Sequence, residues 1–235
     1  MKRQVVILLV FGLLVGNIQA QRLVGFGGNE YLKGEIFFED ASVLSGYIQV
    51  PKLPSSQKVN FKESVKGEKQ TIKIHNIKSF KVYSELGDKY TFESNYIDQS
   101  KKAGVKRVTK FRIFLLVDVK GYGSLYKIGD EYRTDKDGTL YLYSYNAGDG
   151  SGVANFRYYI KKQGAEYAEI FEYENPVNGI LPDISRKSLV KSMEVHLSEH
   201  PELIEKVRNK ELDKMDLTEI FKQYNEYMTQ QKEKL

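Results

Sequence analysis

From Tyr31 to Tyr173 apolar and polar side chains alternate with a period of two, the spacing that sends successive residues to opposite faces of a strand. Ile72 and Ile74 alternate with Thr71, Lys73 and His75. Phe111, Ile113, Leu115, Val117 and Val119 share one face of a longer run whose other face holds Arg112, Phe114, Leu116 and Asp118. That run is apolar on both faces in its middle, so it is expected to be a central strand covered on both sides. Lys33-Gly34, Ser45-Gly46, Lys66-Gly67, Gly87-Asp88, Gly121-Tyr122-Gly123, Asp137-Gly138 and the stretch Gly148 to Gly152 read as turns between hairpin-linked strands. Pro51 and Pro54 close one strand, since neither can donate to a ladder.

At Pro182 the period changes to that of helices. Leu189, Met193 and Leu197 are spaced by four with Val190 in the same stripe, and Pro201 restarts a short helix bearing Leu203, Ile204 and Val207. Asp216 and Glu219 have the spacing of a capping box, ahead of a stripe of Leu217, Ile220, Phe221 and Tyr224. The predicted fold class is α+β: an antiparallel β-sandwich or curled sheet followed by C-terminal helices. The expected organisation is a leader over 1–20, an antiparallel β-rich region over 21–180, and C-terminal helices over 181–235 packed on the same domain.

The leader carries its own signature. Lys2 and Arg3 precede an apolar run from Val5 to Val15, followed by Gly16, Asn17 and a small-residue end at Ala20. This is the n-region, h-region and cleavage site of a secretory signal, with Gln21 as the expected mature start. The run is too short for a permanent membrane span. No second apolar run of that length follows, so no transmembrane segment is expected in the mature chain. Export to the periplasm or the outer-membrane surface follows as the expected location.

Composition narrows the chemistry. The chain has no cysteine, which removes disulfides, thiolate nucleophiles and thiolate metal sites. Lys2 and Arg3 leave with the leader, so the net charge falls from +5 to +3. The densest basic run is Lys101, Lys102, Lys106, Arg107, Lys110 and Arg112. It reads as a solvated loop entering a strand, with an anionic glycan or lipid headgroup as the sharper reading. Nucleic acid is not an expected partner, because no concentrated basic stripe exists.

His196-Leu-Ser-Glu199-His200 spells a zinc-peptidase pattern. Pro201 pushes His200 out of helical geometry, and a third ligand is not evident, so no metal and no cofactor are expected. Asp135-Lys-Asp137-Gly138 has some character of a calcium loop but fails it at Arg133 and Ser144, leaving a hairpin turn. Glu35, Glu39, Glu166, Glu169 and Glu172 are the carboxylates open to glycan hydrolysis. Seventeen tyrosines and no tryptophan form the one compositional excess. Tyr141, Tyr143 and Tyr145 fall on one strand face, with Tyr158 or Tyr159 expected across the hairpin. This is a cross-strand ladder by default and a glycan- or peptide-binding platform by the sharper reading.

Several phrases taken in order resemble one family. They are Lys33-Gly-Glu-Ile36, Ser45-Gly-Tyr-Ile48, Val59-Asn-Phe-Lys62, His75-Asn-Ile-Lys-Ser-Phe80, Phe114-Leu-Leu-Val117, Gly123-Ser-Leu-Tyr-Lys127, Tyr159-Ile-Lys-Lys162 and Leu197-Ser-Glu-His-Pro-Glu-Leu203. The chain resembles an uncharacterised family of exported Bacteroidota proteins. In these a β-rich module with a short helical tail stands alone or precedes an outer-membrane β-barrel. The resemblance implies an envelope location and brings no catalytic residues with it. The expected function is a non-enzymatic interaction protein whose partner is an envelope protein or polysaccharide. The alternative is a carboxylate-dependent periplasmic hydrolase of envelope glycans.

Leu9→Arg interrupts the apolar run and is expected to leave uncleaved precursor in the cytoplasm, whereas the wild-type chain yields an N-terminus at Gln21. Mass spectrometry of the fractionated cells checks this, and intact Met1 in the envelope fraction refutes it.

Overall fold

The computed structural model describes residues 30–100, 106–144, 156–177 and 181–234. The leader and the glycine run at 148–152 lie outside them. The first half of the chain forms β1 (Tyr31–Phe38), β2 (Val43–Gln49), β3 (Lys58–Lys62), β4 (Gln70–Lys73), β5 (Ile77–Tyr83) and β6 (Lys89–Ile97). The second half forms β7 (Ile113–Val119), β8 (Gly123–Ile128), β9 (Glu131–Thr134), β10 (Leu140–Tyr143), β11 (Phe156–Lys162), β12 (Tyr167–Val177) and β13 (Leu181–Asp183). Three helices follow: α1 (Arg186–His196), α2 (Pro201–Arg208) and α3 (Leu217–Glu233).

Eleven strands make one sheet in the order β13-β12-β11-β8-β7-β6-β5-β1-β2-β3-β4, and β9 pairs with β10 as a separate ribbon. Sequential neighbours are antiparallel. One further pairing is parallel: Tyr167 and Ala168 of β12 lie opposite Tyr96 and Ile97 of β6, extended by the Asp98 amide donating to the Ala168 carbonyl at 2.9 Å. That contact joins two strands far apart in the sheet order. It closes β6, β7, β8, β11 and β12 into a ring. Of the two β architectures open to the sequence, the curled sheet is the one formed.

Side chains partition into two apolar clusters. One gathers Ile36, Ile48, Phe61 and Val82 with a fully buried aromatic group. There Phe80 stacks on Phe92 at 4.6 Å, while Phe114 and Tyr132 meet them edge-on at 5.2 and 5.1 Å. The other lies between the outer face of the ring and the helices, joining Leu125, Ile160 and Phe171 to Leu189, Met193, Leu203, Ile220 and Phe221. Alternation sorts β11 between the two: Tyr158 and Ile160 face the helices, Tyr159 the ring interior.

The helices begin where local chemistry directs. Ser185 caps α1 through the Ser188 amide, Pro201 occupies the first turn of α2, and Asp216 accepts from the Glu219 amide at 2.9 Å to cap α3. The predicted stripe of Leu217, Ile220, Phe221 and Tyr224 is buried throughout. The strand pattern persists slightly past its expected end, because β13 continues to Asp183 before α1 starts.

Two expected turns are corrected. Gly34 and Gly46 lie inside β1 and β2, directly opposite each other. A β-carbon on Gly34 collides with the Lys81 carbonyl of β5, and one on Gly46 with the Lys62 carbonyl and the Phe61 ring. These glycines permit close strand packing rather than chain reversal. The turns at Gly87 (φ 91°) and Gly138 (φ 83°) form as expected, both with the left-handed backbone that glycine tolerates.

Phe221 is fully buried and meets Phe171 of β12 edge-on at 5.0 Å. Phe221→Ala is expected to cost about 3–5 kcal/mol through the cavity left in this cluster. Chemical denaturation measures it, and an unchanged midpoint refutes the packing.

Candidate functional site

The ring is open at one end, and there a cavity of about 850 Å³ is bounded by β5, β6, β8, the β7–β8 and β11–β12 turns and the last turns of α3. The strand register explains its polar floor. Ser124 and Tyr126 of β8 lie opposite Lys161 and Tyr159 of β11, so all four project from one face. Tyr159 and Tyr126 continue the apolar interior, and Lys161 and Ser124 end it. On β6 the residues that enter the cavity wall include Glu93 and Asn95.

Six cationic side chains line this cavity against three carboxylates, so the wall favours an anion. Arg112 pairs with Glu39. Lys120 lies 2.6 Å from one oxygen of Glu93, whose other oxygen accepts from the Tyr126 hydroxyl at 2.7 Å. Burial, reinforced by the Glu93 charge, pushes the Tyr126 phenol far above its ordinary range, so it stays a hydrogen-bond donor. The Lys161 amine donates to Asn95 Oδ1 at 2.7 Å. Burial lowers its proton affinity, and Lys120 and Arg112 add to that effect against the opposing pull of Glu93 and Glu39.

Helix α3 builds the opposite rim. Asn225 accepts from the Gly123 amide at 2.8 Å and donates to the Gly123 carbonyl at 3.1 Å, gripping the β7–β8 turn. A β-carbon at Gly121 collides with that same amide group. One turn on, Met228, Thr229 and Lys232 reach the cavity, with the Lys232 amine 4.9 Å over the Tyr122 ring. Lys162 ties the rim to the helices through Glu199 at 2.6 Å, which also accepts from Tyr224 at 3.2 Å.

The tyrosines singled out by sequence do not assemble here. Tyr141 and Tyr143 sit on β10, which pairs with β9 rather than β11, so Tyr158 is not across from them. Each is about 40% exposed, and neither lines the cavity. Tyr141 donates to Asp135 at 3.2 Å, and the Arg133 guanidinium lies 3.9 Å over the Tyr143 ring. Tyr158 is buried beneath the helices with its hydroxyl on Glu174 at 2.5 Å, which removes it from any surface platform. Tyr145 lies outside the described residues.

The histidines of the zinc-like pattern separate at the break before Pro201. His196 ends α1 with Nδ1 3.4 Å from Glu169, whereas His200 stacks on Tyr227 at 4.1 Å and precedes α2. Glu199 between them is engaged by Lys162 and Tyr224. Among the carboxylates considered for hydrolysis, Glu39 and Glu166 reach the cavity. Glu93, Asn95, Lys120, Tyr126 and Lys161 escaped sequence reasoning. The strand pattern carried no signal for them: the face of β6 that bears Asn95 also bears Thr91 and Glu93, and that of β11 bearing Lys161 also bears Arg157. Arg112, read as part of a solvated run, turns into the wall.

The chain finds no match among protein-family models, curated proteins or solved structures.

The lowered proton affinity of Lys161 has a signed consequence. The unfolded chain takes up this proton more readily than the folded one, so stability is lost as pH falls through the lowered value. At pH 7, below the ordinary lysine range, that penalty is present. Lys161→Met is therefore expected to raise the thermal midpoint at pH 7, and the gain is expected to shrink as pH approaches the ordinary lysine range. Calorimetry across pH checks both, and a lower midpoint at pH 7 refutes the argument.

Proposed function

We propose that the protein is an exported, envelope-associated binding protein without catalytic activity, which receives part of an envelope polysaccharide at the mouth of the strand ring. The observation that carries this reading is the cavity itself. It is about 850 Å³, within the range of about 300–1,000 Å³ common for ligand sites. Its walls present ammonium, guanidinium, amide and hydroxyl donors, the groups that engage sugar hydroxyls and acidic substituents.

Its framework is preorganised. Strand pairing holds the floor, and Asn225 and Glu199 hold the rim through α3. Two of the three carboxylates in the wall are committed elsewhere, Glu39 to Arg112 and both oxygens of Glu93 to Lys120 and Tyr126, whereas a hydrolase needs a working pair. Export rests on the leader, and envelope location on the family resemblance. Phrases carrying that resemblance supply Lys78, Ser124, Tyr126, Lys161 and Lys162 of the cavity wall.

The test uses protein purified after export, mixed with polysaccharide extracted from the envelope of the source cells. Co-sedimentation is expected to retain the polysaccharide while the number of reducing ends stays constant over hours. Reducing ends that accumulate with wild-type protein, and no longer do so with Glu93→Gln, replace binding by hydrolysis. Retention of an envelope protein but of no polysaccharide overturns the ligand class.

A further inference from the structure

The charges of the cavity wall are unevenly compensated. Arg112 and Lys120 each have a carboxylate, Glu39 and Glu93. Lys161 lies within electrostatic reach of both pairs, yet among the described residues it forms no ion pair, and its one hydrogen bond goes to the neutral amide of Asn95. Asn95 is 4% exposed, and its Nδ2 has no hydrogen-bond partner. Because Oδ1 must accept from the ammonium, the amide orientation is set and Nδ2 is the idle donor. A half-buried cation without a counter-charge and a buried donor without an acceptor are each costly. They stand side by side in one wall of one cavity.

We propose that Lys161 and Asn95 together recognise a single carboxylate, that of a uronate residue in an acidic polysaccharide. The inference rests on the binding function proposed above and specifies its ligand. One carboxylate oxygen accepts from the Lys161 ammonium and the other from Asn95 Nδ2, so the ligand supplies the missing counter-charge and the missing acceptor at once. Its single charge adds the least repulsion from Glu39 and Glu93, whose fields reach Lys161. A phosphoryl dianion carries a second negative charge toward Glu39 and Glu93, which already oppose it. The rest of the sugar finds Tyr126 and Ser124 in the same wall. Charge-assisted hydrogen bonds of this kind are the strong class, and losing one costs about tenfold or more in affinity.

The experiment titrates exported protein with oligogalacturonate and with the same oligomer after its carboxyl groups are reduced to alcohols, by calorimetry at pH 7. The acidic form is expected to bind at least about tenfold more tightly. Lys161→Met is expected to abolish that preference. Asn95→Asp is expected to do the same while retaining the fold, because its carboxylate occupies the anion position beside Lys161. Equal affinity for both oligomers overturns the uronate inference and leaves the binding function standing. Binding of neither oligomer while envelope polysaccharide is retained also overturns the inference alone. Binding of neither oligomer and of no polysaccharide overturns both. Displacement of the acidic oligomer by inorganic phosphate but not by D-glucuronate assigns the site to phosphoryl groups instead.

Discussion

Two residue pairs hold the architecture in its working shape. Without the parallel contact of Tyr167 and Ala168 with Tyr96 and Ile97, the eleven strands would form an open, twisted ribbon of antiparallel neighbours. With it, five strands close and their inward faces become an interior. Closure removes strand edges and forces side chains distant in sequence to share one small volume. Ile97, Ile113, Leu115, Ile128 and Ala168 are buried there. Where the apolar supply ends, Asn95, Ser124 and Lys161 meet, and the cavity begins.

The helices complete that geometry from outside. Their burial is apolar, through Phe221 on Phe171 and the leucines of α1 and α2, but their registration is polar. Asn225 reads both backbone groups of Gly123, and Tyr224 and Lys162 meet on Glu199. Non-directional burial holds α3 against the sheet, whereas these hydrogen bonds fix its rotation and its slide. Met228 and Lys232 thereby reach the rim. The tail that closes the second core also builds one wall of the site.

The site is stabilised by less than its surroundings. An ammonium half-buried against a neutral amide, and an amide hydrogen with no acceptor, both oppose folding. The strands carry that cost because the ring is over-determined by packing elsewhere, above all by the stacked Phe80 and Phe92 with Phe114 and Tyr132 against them.

Period and punctuation in the chain were enough to establish strands from Tyr31 to Tyr173, helices beyond the change of period at Pro182, the capping of α3 by Asp216 and the buried stripe through Phe221. Those are local signals, set by side-chain alternation, the 3.6-residue repeat and the hydrogen bond of one capping carboxylate. The expected leader rests on equally local signals, a charge, an apolar run and a small residue in order. What local signals mislead about is partnership. Gly34 and Gly46 have the composition of turns, yet neighbouring strands press on them from the side. Tyr143 is expected across from β11 but pairs with β9, because β11 takes β8 and β12 as its neighbours. Asn95 and Lys161 are 66 residues apart, and no spacing rule connects them. Only ring closure brings them together, since the pairing of five strands is a long-range choice made by shared burial rather than by any neighbour in sequence.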